Sequence, residues 1–195
     1  MSARPRIAIA FFGITRALDR TLPSIEANIY VPAHAVGDVR VFAHLYDQSR
    51  IDNPRSGEKA TLDPGEYKRL GADWVEREPP GGVAEAAGLE TFKSYGDPWK
   101  DGFRSLRNLA LQLHSLNRVT AAVLEEGYDM CLFCRPDLRY RDSFARPLRR
   151  MLAAPPPVVF APHWQAWFGA NDRFALVSGR EAILAAARFV VNAKG

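Results

Sequence analysis

Apolar residues along this chain gather into short runs, separated by polar stretches and by Gly- and Pro-marked breaks. Arg6-Ile7-Ala8-Ile9-Ala10-Phe11-Phe12 is nearly continuous in its apolar character and stops at Gly13. A strand buried on both faces, as in the middle of a parallel sheet, has this pattern. Gly13-Ile14-Thr15-Arg16 follows as a turn, and Leu18, Leu22, Ile25 and Ile29 then recur at helical spacing. Pro23 fits the first position of a helix capped near Thr21, with Glu26 following. Residues 39–44 predict a second strand, which completes a strand–helix–strand unit.

From 46 to 65 the chain is polar and broken by Pro54, Gly57, Pro64 and Gly65. A connection of that length predicts a lid, a binding loop or a disordered segment. A short helix over 64–70, a weak strand over 73–76 and a break at Pro79-Pro80-Gly81-Gly82 come next. The strongest helical signal spans 102–126. Phe103, Leu106, Leu109, Leu113, Leu116, Val119 and Val123 keep a spacing of three or four, and Gly127 closes the run. That helix leads into a strand at 130–134 (Met-Cys-Leu-Phe-Cys), then an amphipathic helix over 144–152. Strands at 158–161 and 173–177 and a last helix over 180–191 complete the pattern. Alternating strands and helices predict a single α/β domain with a mostly parallel sheet flanked by helices, the late strands contributing antiparallel pairing.

Length and composition narrow the class. The chain has 195 residues, of which 47% are hydrophobic, enough for one sizeable core. No apolar run approaches the ~20 residues of a membrane span, and the run after the basic N-terminus is too short for a signal-peptide core. These features predict a cytoplasmic protein with at most peripheral membrane contact. The net charge is +4, and 21 of the 26 basic residues are arginine. Arginine suits bidentate binding of phosphate and carboxylate, although a GC-rich coding sequence produces the same excess. No lysine-rich tract or aromatic-basic stripe is present, so no nucleic-acid partner is expected. Cys131 and Cys134 match C-x-x-C in letters alone. Three apart in a strand they point to opposite faces, and they read as two buried thiols.

Candidate chemistry collects where strands end, since ligands of such sheets bind at the carboxyl edge. Four segments qualify: Phe12 to Arg16, His44 to Asp47, Arg135-Pro136-Asp137-Leu138-Arg139, and Trp164 to Phe174. Each has an ordinary reading as well: a tight turn at Gly13, a turn start at Asp47, a structural ion pair between Arg135 and Asp137. Trp164 and Trp167 read either as core or as a stacking wall for sugar rings. The chain lacks a P-loop, a dinucleotide fingerprint and a nucleophile elbow. Its four histidines are scattered without zinc spacing.

Taken together, the segments resemble the GT-A-like bacterial glycosyltransferases of surface-polysaccharide loci (capsule and lipopolysaccharide synthesis). The resemblance rests on Phe12-Gly13-Ile14-Thr15-Arg16 after the opening strand and on Asp38-Val39 through His44 to Tyr46-Asp47. It continues through Gly127-Tyr128-Asp129 into Arg135-Pro136-Asp137-Leu138, and ends at Asn171-Asp172-Arg173-Phe174. It implies a nucleoside-diphospho-sugar donor and a polysaccharide or lipid-linked acceptor. Phe12, Gly13 and Arg16 would lie against the donor, with Asp47, Arg135, Arg139, Trp167 and Asn171 in the same cleft. Asp137 would hold Mg²⁺ or Mn²⁺ on the diphosphate, and Asp172 would act as base on the acceptor hydroxyl. The usual acidic motif is D-x-D, but Asp137-Leu138-Arg139 supplies one carboxylate. One or two carboxylates plus substrate phosphates suffice for Mg²⁺; the alternative is that arginines alone neutralise the diphosphate. Relatives of this kind continue further than Gly195, which leaves the completeness of the acceptor region open.

Overall fold

A computed structural model describes residues 3–53, 57–86, 88–164 and 171–188. Strand β1 (Arg6–Gly13) is followed by helix α1 (Leu18–Ile25), a π-helical turn (Glu26–Tyr30), α2 (Val31–Val36) and β2 (Asp38–Tyr46). A hairpin of β3 (Arg50–Asn53) and β4 (Glu58–Thr61), a 3-10 turn (Glu66–Leu70) and β5 (Trp74–Glu78) come next. Two short helices, α3 (Val83–Ala86) and α4 (Leu89–Lys93), lead to the long α5 (Arg104–Glu126) and β6 (Met130–Cys134). The last elements are α6 (Ala145–Leu152), β7 (Val158–Phe160), β8 (Phe174–Ser178) and α7 (Arg180–Arg188). Six strands form one sheet in the order β5-β2-β1-β6-β8-β7. The pairs β5–β2, β2–β1 and β1–β6 are parallel, while β8 runs antiparallel to both β6 and β7. The domain is therefore α/β with a mostly parallel sheet between two helical layers.

The alternation of β1 assigns its side chains to the two layers. Ile7, Ile9 and Phe11 pack with Leu18, Ile25, Ile29 and Ala33 on one face, together with Leu148 and Met151 of α6. Ala8, Ala10 and Phe12 face the other way, onto Val119, Ala122 and Val123 of α5 and Ile183 of α7. All six of these β1 residues are at most 2% exposed. Small alanines beneath α5 let that helix lie close to the sheet, while the bulkier set on the opposite face fills the gap to α1 and α2. Burying each Ile or Phe contributes roughly 1.5–3 kcal/mol. The same alternation separates the thiols: Cys134 joins the α1 layer and Cys131 the α5 layer, both fully buried.

Three departures from the sequence pattern have physical causes. Helix α1 begins at Leu18, which puts Pro23 inside it rather than at its first position. No side chain of the helix caps it; instead Glu66, from the 3-10 turn, accepts the Leu18 N–H at 2.5 Å. Thr21, the expected cap, donates its hydroxyl to the Pro136 carbonyl at 2.8 Å. Residues 46–65 are not a single long loop, because β3 and β4 pair as a hairpin within them. The apolar stripe of α5 is buried only in its C-terminal half. Leu109 is 44% exposed, and the first turns of the helix stand over the sheet's carboxyl edge instead of its face.

Candidate functional site

Because β1, β2 and β6 are parallel, their carboxyl ends lie along one edge, and antiparallel β8 begins at that same edge. A cleft of about 1120 Å³ opens there. Phe12, Gly13 and Arg16 line it from β1 and the following turn, Tyr46 from β2, Arg135 from β6, and Asp172 and Arg173 from the approach to β8. The N-terminal half of α5 supplies the opposite wall with Arg104, Asn108, Leu111 and Gln112, and Trp99 and Lys100 extend it. All four strand-end segments singled out in the sequence thus reach one cavity, the second through Tyr46 alone.

A chain of polar contacts crosses the cleft floor. Arg16 donates Nε and Nη2 to Asp137 Oδ2 at 3.0 and 2.7 Å, and Nη1 to Glu58 at 2.6 Å. Arg135 donates Nε to Asp137 Oδ1 at 3.0 Å and Nη2 to Oδ2 at 2.8 Å. Its Nη1 donates to the Gln112 side-chain carbonyl at 3.0 Å, and the Gln112 amide donates to Asp172 at 2.8 Å. Asp137 is the anchor, with a side chain only 3% exposed. Burial alone would raise its carboxyl pKa, but the Arg135 and Arg16 guanidiniums outweigh that and hold it below the ordinary range. Burial likewise works against the charge of Arg135, yet Asp137, with help from Asp172, leaves its pKa raised. Both arginines are aimed at the cavity by the carboxylate behind them.

Gly13 sits at φ +106°, a conformation that favours glycine, and its N–H donates to Ser115 Oγ at 2.8 Å. Ser115, fully buried, also donates to the His44 carbonyl at 2.8 Å and contacts His44 Nδ1 at 2.9 Å. It therefore ties the end of β1 to β2 and α5.

The remaining expected residues are placed differently. Asp47 lies outside the cleft wall and pairs with Arg77 at 2.6 Å. Arg139 is exposed, also away from the wall. Asn171 is 6% exposed and holds its own loop, donating to the Trp164 carbonyl at 2.5 Å and accepting the Arg173 N–H at 2.9 Å. Trp164 is half-exposed, and Trp167 lies outside the described residues. Asp137 does not fit a divalent cation, because guanidinium donors occupy both of its oxygens and its side chain is shut off from solvent.

Two of the histidines meet in space although they lack zinc spacing along the chain: His44 on β2 and His114 on α5 converge on Glu78 of β5. Glu78 Oε1 lies 3.1 Å from His44 Nε2 and 2.8 Å from His114 Nε2. Glu58, Gln112 and Ser115 were also missed; each acts on a residue far away in the chain.

The chain matches no protein-family model and no curated protein. Among the described residues, no helix is long and apolar enough to cross a membrane.

Proposed function

We propose that the chain is a GT-A-like glycosyltransferase that moves a sugar from a nucleoside-diphosphate donor to a polysaccharide or lipid-linked acceptor, working in the cytoplasm. The observation that carries this reading is the pair Arg16 and Arg135, fixed from behind by Asp137 and lining a cleft at the carboxyl edge of a parallel sheet. A guanidinium has five N–H donors. Among the described residues, three are used on each arginine, which leaves two on each (5 − 3) for a ligand. Paired arginines of this kind suit a diphosphate and stabilise the charge that develops on it as the sugar leaves. Trp99, 61% exposed at the cleft wall, offers an apolar face for the base or the sugar.

In this mechanism, Asp172 accepts the proton of the acceptor hydroxyl as its oxygen attacks the anomeric carbon. The carbon–oxygen bond to the diphosphate breaks, and the diphosphate departs with the bonding electrons onto the arginine pair. Gln112, bonded to both Arg135 and Asp172, sets the distance between the leaving-group clamp and the base.

A second reading is a non-catalytic domain of the same type that binds a nucleotide or glycan. It is favoured by the lone Asp137 at the strand end, whose oxygens are spent on guanidiniums. Isothermal titration with UDP- and GDP-sugars, with and without Mn²⁺, tests both readings. Saturable binding with release of the nucleoside diphosphate on adding acceptor supports the transferase. Binding with neither hydrolysis nor transfer supports the binding domain, and no binding of any donor at millimolar ligand removes the transferase and the nucleotide-binding form of the second reading.

A further inference from the structure

We infer that His44, Glu78 and His114 form a site for a divalent transition-metal ion of zinc type, separate from the donor cleft. The three side chains come from β2, β5 and α5, and their ligand atoms all lie within 4.8 Å of one another. Two histidines and a carboxylate make a donor set that zinc favours, with a fourth position left to solvent. Tetrahedral bonds of ~2.0–2.1 Å put ligand atoms about 3.3 Å apart. The separations of 3.1 and 2.8 Å about Glu78 Oε1 need only a slight opening to reach that spacing.

The decisive observation is the state of His44. Its ring is fully buried. Ser115 has one hydroxyl proton, which goes to the His44 carbonyl, so its oxygen can only accept from Gly13 N–H and from His44 Nδ1. The proton of the neutral imidazole is thereby assigned to Nδ1, and Nε2 presents a bare lone pair. That atom makes no hydrogen bond within the described residues, although Glu78 Oε1 lies 3.1 Å away. A buried lone pair facing a carboxylate calls for a cation between them. Ser115 is also the outer partner that orients a metal-bound histidine. His114 is about one-third exposed, which gives an ion a route in from solvent.

The bound ion would staple α5 to the β2–β5 edge. The next turn of α5 toward its N-terminus carries Leu111 and Gln112, which line the cleft, so the metal would set the position of that wall.

The test is titration of chelator-stripped full-length protein with Zn²⁺, alongside the visible spectrum of the Co²⁺ form. One equivalent should bind, raise the melting temperature and give the intense bands of tetrahedral cobalt with nitrogen ligands. Glu78→Gln and His114→Ala should each weaken Zn²⁺ binding by more than about 10-fold, while the distant His163→Ala leaves it unchanged. Failure of the wild type to bind, or equal binding by Glu78→Gln and His114→Ala, overturns the site. Loss of binding in His163→Ala alone would mark the ion as a surface contaminant and overturn it too. The readout is binding, so it stands apart from any outcome in the donor cleft.

Discussion

Arg16 and Asp137 are 121 positions apart in the chain and meet at 2.7 Å, through two guanidinium N–H groups on one carboxylate oxygen. Arg135 closes on the same carboxylate from the other side. The ends of β1 and β6 are thus joined by a buried acid carrying two cations. This arrangement makes Asp137 responsible for the shape of the cleft as well as its charge.

Replacing Asp137 by asparagine keeps the volume but removes the charge that two guanidiniums share. Breaking a buried ion pair from one side costs about 3–5 kcal/mol. Arg16 and Arg135 are 27% and 20% exposed, so water can recover part of the loss. Asp137→Asn should therefore lose about 3 kcal/mol, at the low end of that range, in urea unfolding. A loss under ~0.5 kcal/mol, as for an ordinary surface change, would show that the carboxylate does not organise the edge.

The same group sets an acid limb on stability. Its folded pKa lies below the ordinary 3.8. Between those two values the unfolded chain takes up a proton that the folded chain refuses, so stability falls as pH falls. The contribution is complete above the unfolded pKa and lost as pH drops through the folded one. Unfolding free energy measured from pH 6 down to pH 2 should decline in the wild type. The decline should be shallower in Asp137→Asn, and parallel curves would assign the acid limb to other carboxylates.

Much of the fold was legible because β1 and β6 are buried on both faces, which writes a continuous apolar run into the sequence. The cysteines were legible by the same alternation. The β3–β4 hairpin was not, since Glu58-Lys59-Ala60-Thr61 is charged and exposed and pairs away from the main sheet. The start of α1 was hidden because its cap comes from Glu66, 48 positions on. At the site, Arg135 and Asp137 could be read from adjacent letters, while Arg16 could be placed at the same edge from the end of its strand but its pairing with Asp137, 121 positions on, could not. His114 and Glu78 are 36 positions apart, a separation outside the zinc spacings sought in a sequence. Only the packing of α5 over the β2–β5 edge brings them together.

The proposed donor would make a separate demand on the rim. Arg104 is exposed, lines the cleft from the first turn of α5, and takes no part in the Asp137 clamp. A charge-assisted hydrogen bond to phosphate is worth about 1.5–3 kcal/mol. Arg104→Ala should weaken UDP binding by roughly 10-fold or more and leave the unfolding curve unchanged. The comparison is made by calorimetry at two salt concentrations, since the wild-type advantage should shrink as salt rises. Equal UDP affinity in the two proteins would remove Arg104 from the phosphate site.

Asp172 offers the sharpest separation of chemistry from binding. Its side chain is 55% exposed and its close partner is the neutral amide of Gln112; Arg173 stands 4.0 Å away. Asp172→Asn is nearly isosteric at a solvent-open position, so stability should change by less than about 0.5 kcal/mol. A general base contributes about 10²- to 10⁴-fold to rate. The variant should bind the UDP-sugar as the wild type does and lose at least ~100-fold in transfer to acceptor. Slow hydrolysis of the donor should persist, because in the proposed mechanism the arginine pair that would hold the leaving group is intact. If transfer and donor affinity fell together, Asp172 would be acting through Gln112 on Arg135, as part of the binding network rather than as the base. Gln112→Leu distinguishes the two cases, since it cuts that link without removing the carboxylate. Turnover should fall in Asp172→Asn with KM for donor unchanged, whereas Gln112→Leu should raise KM more than it lowers kcat.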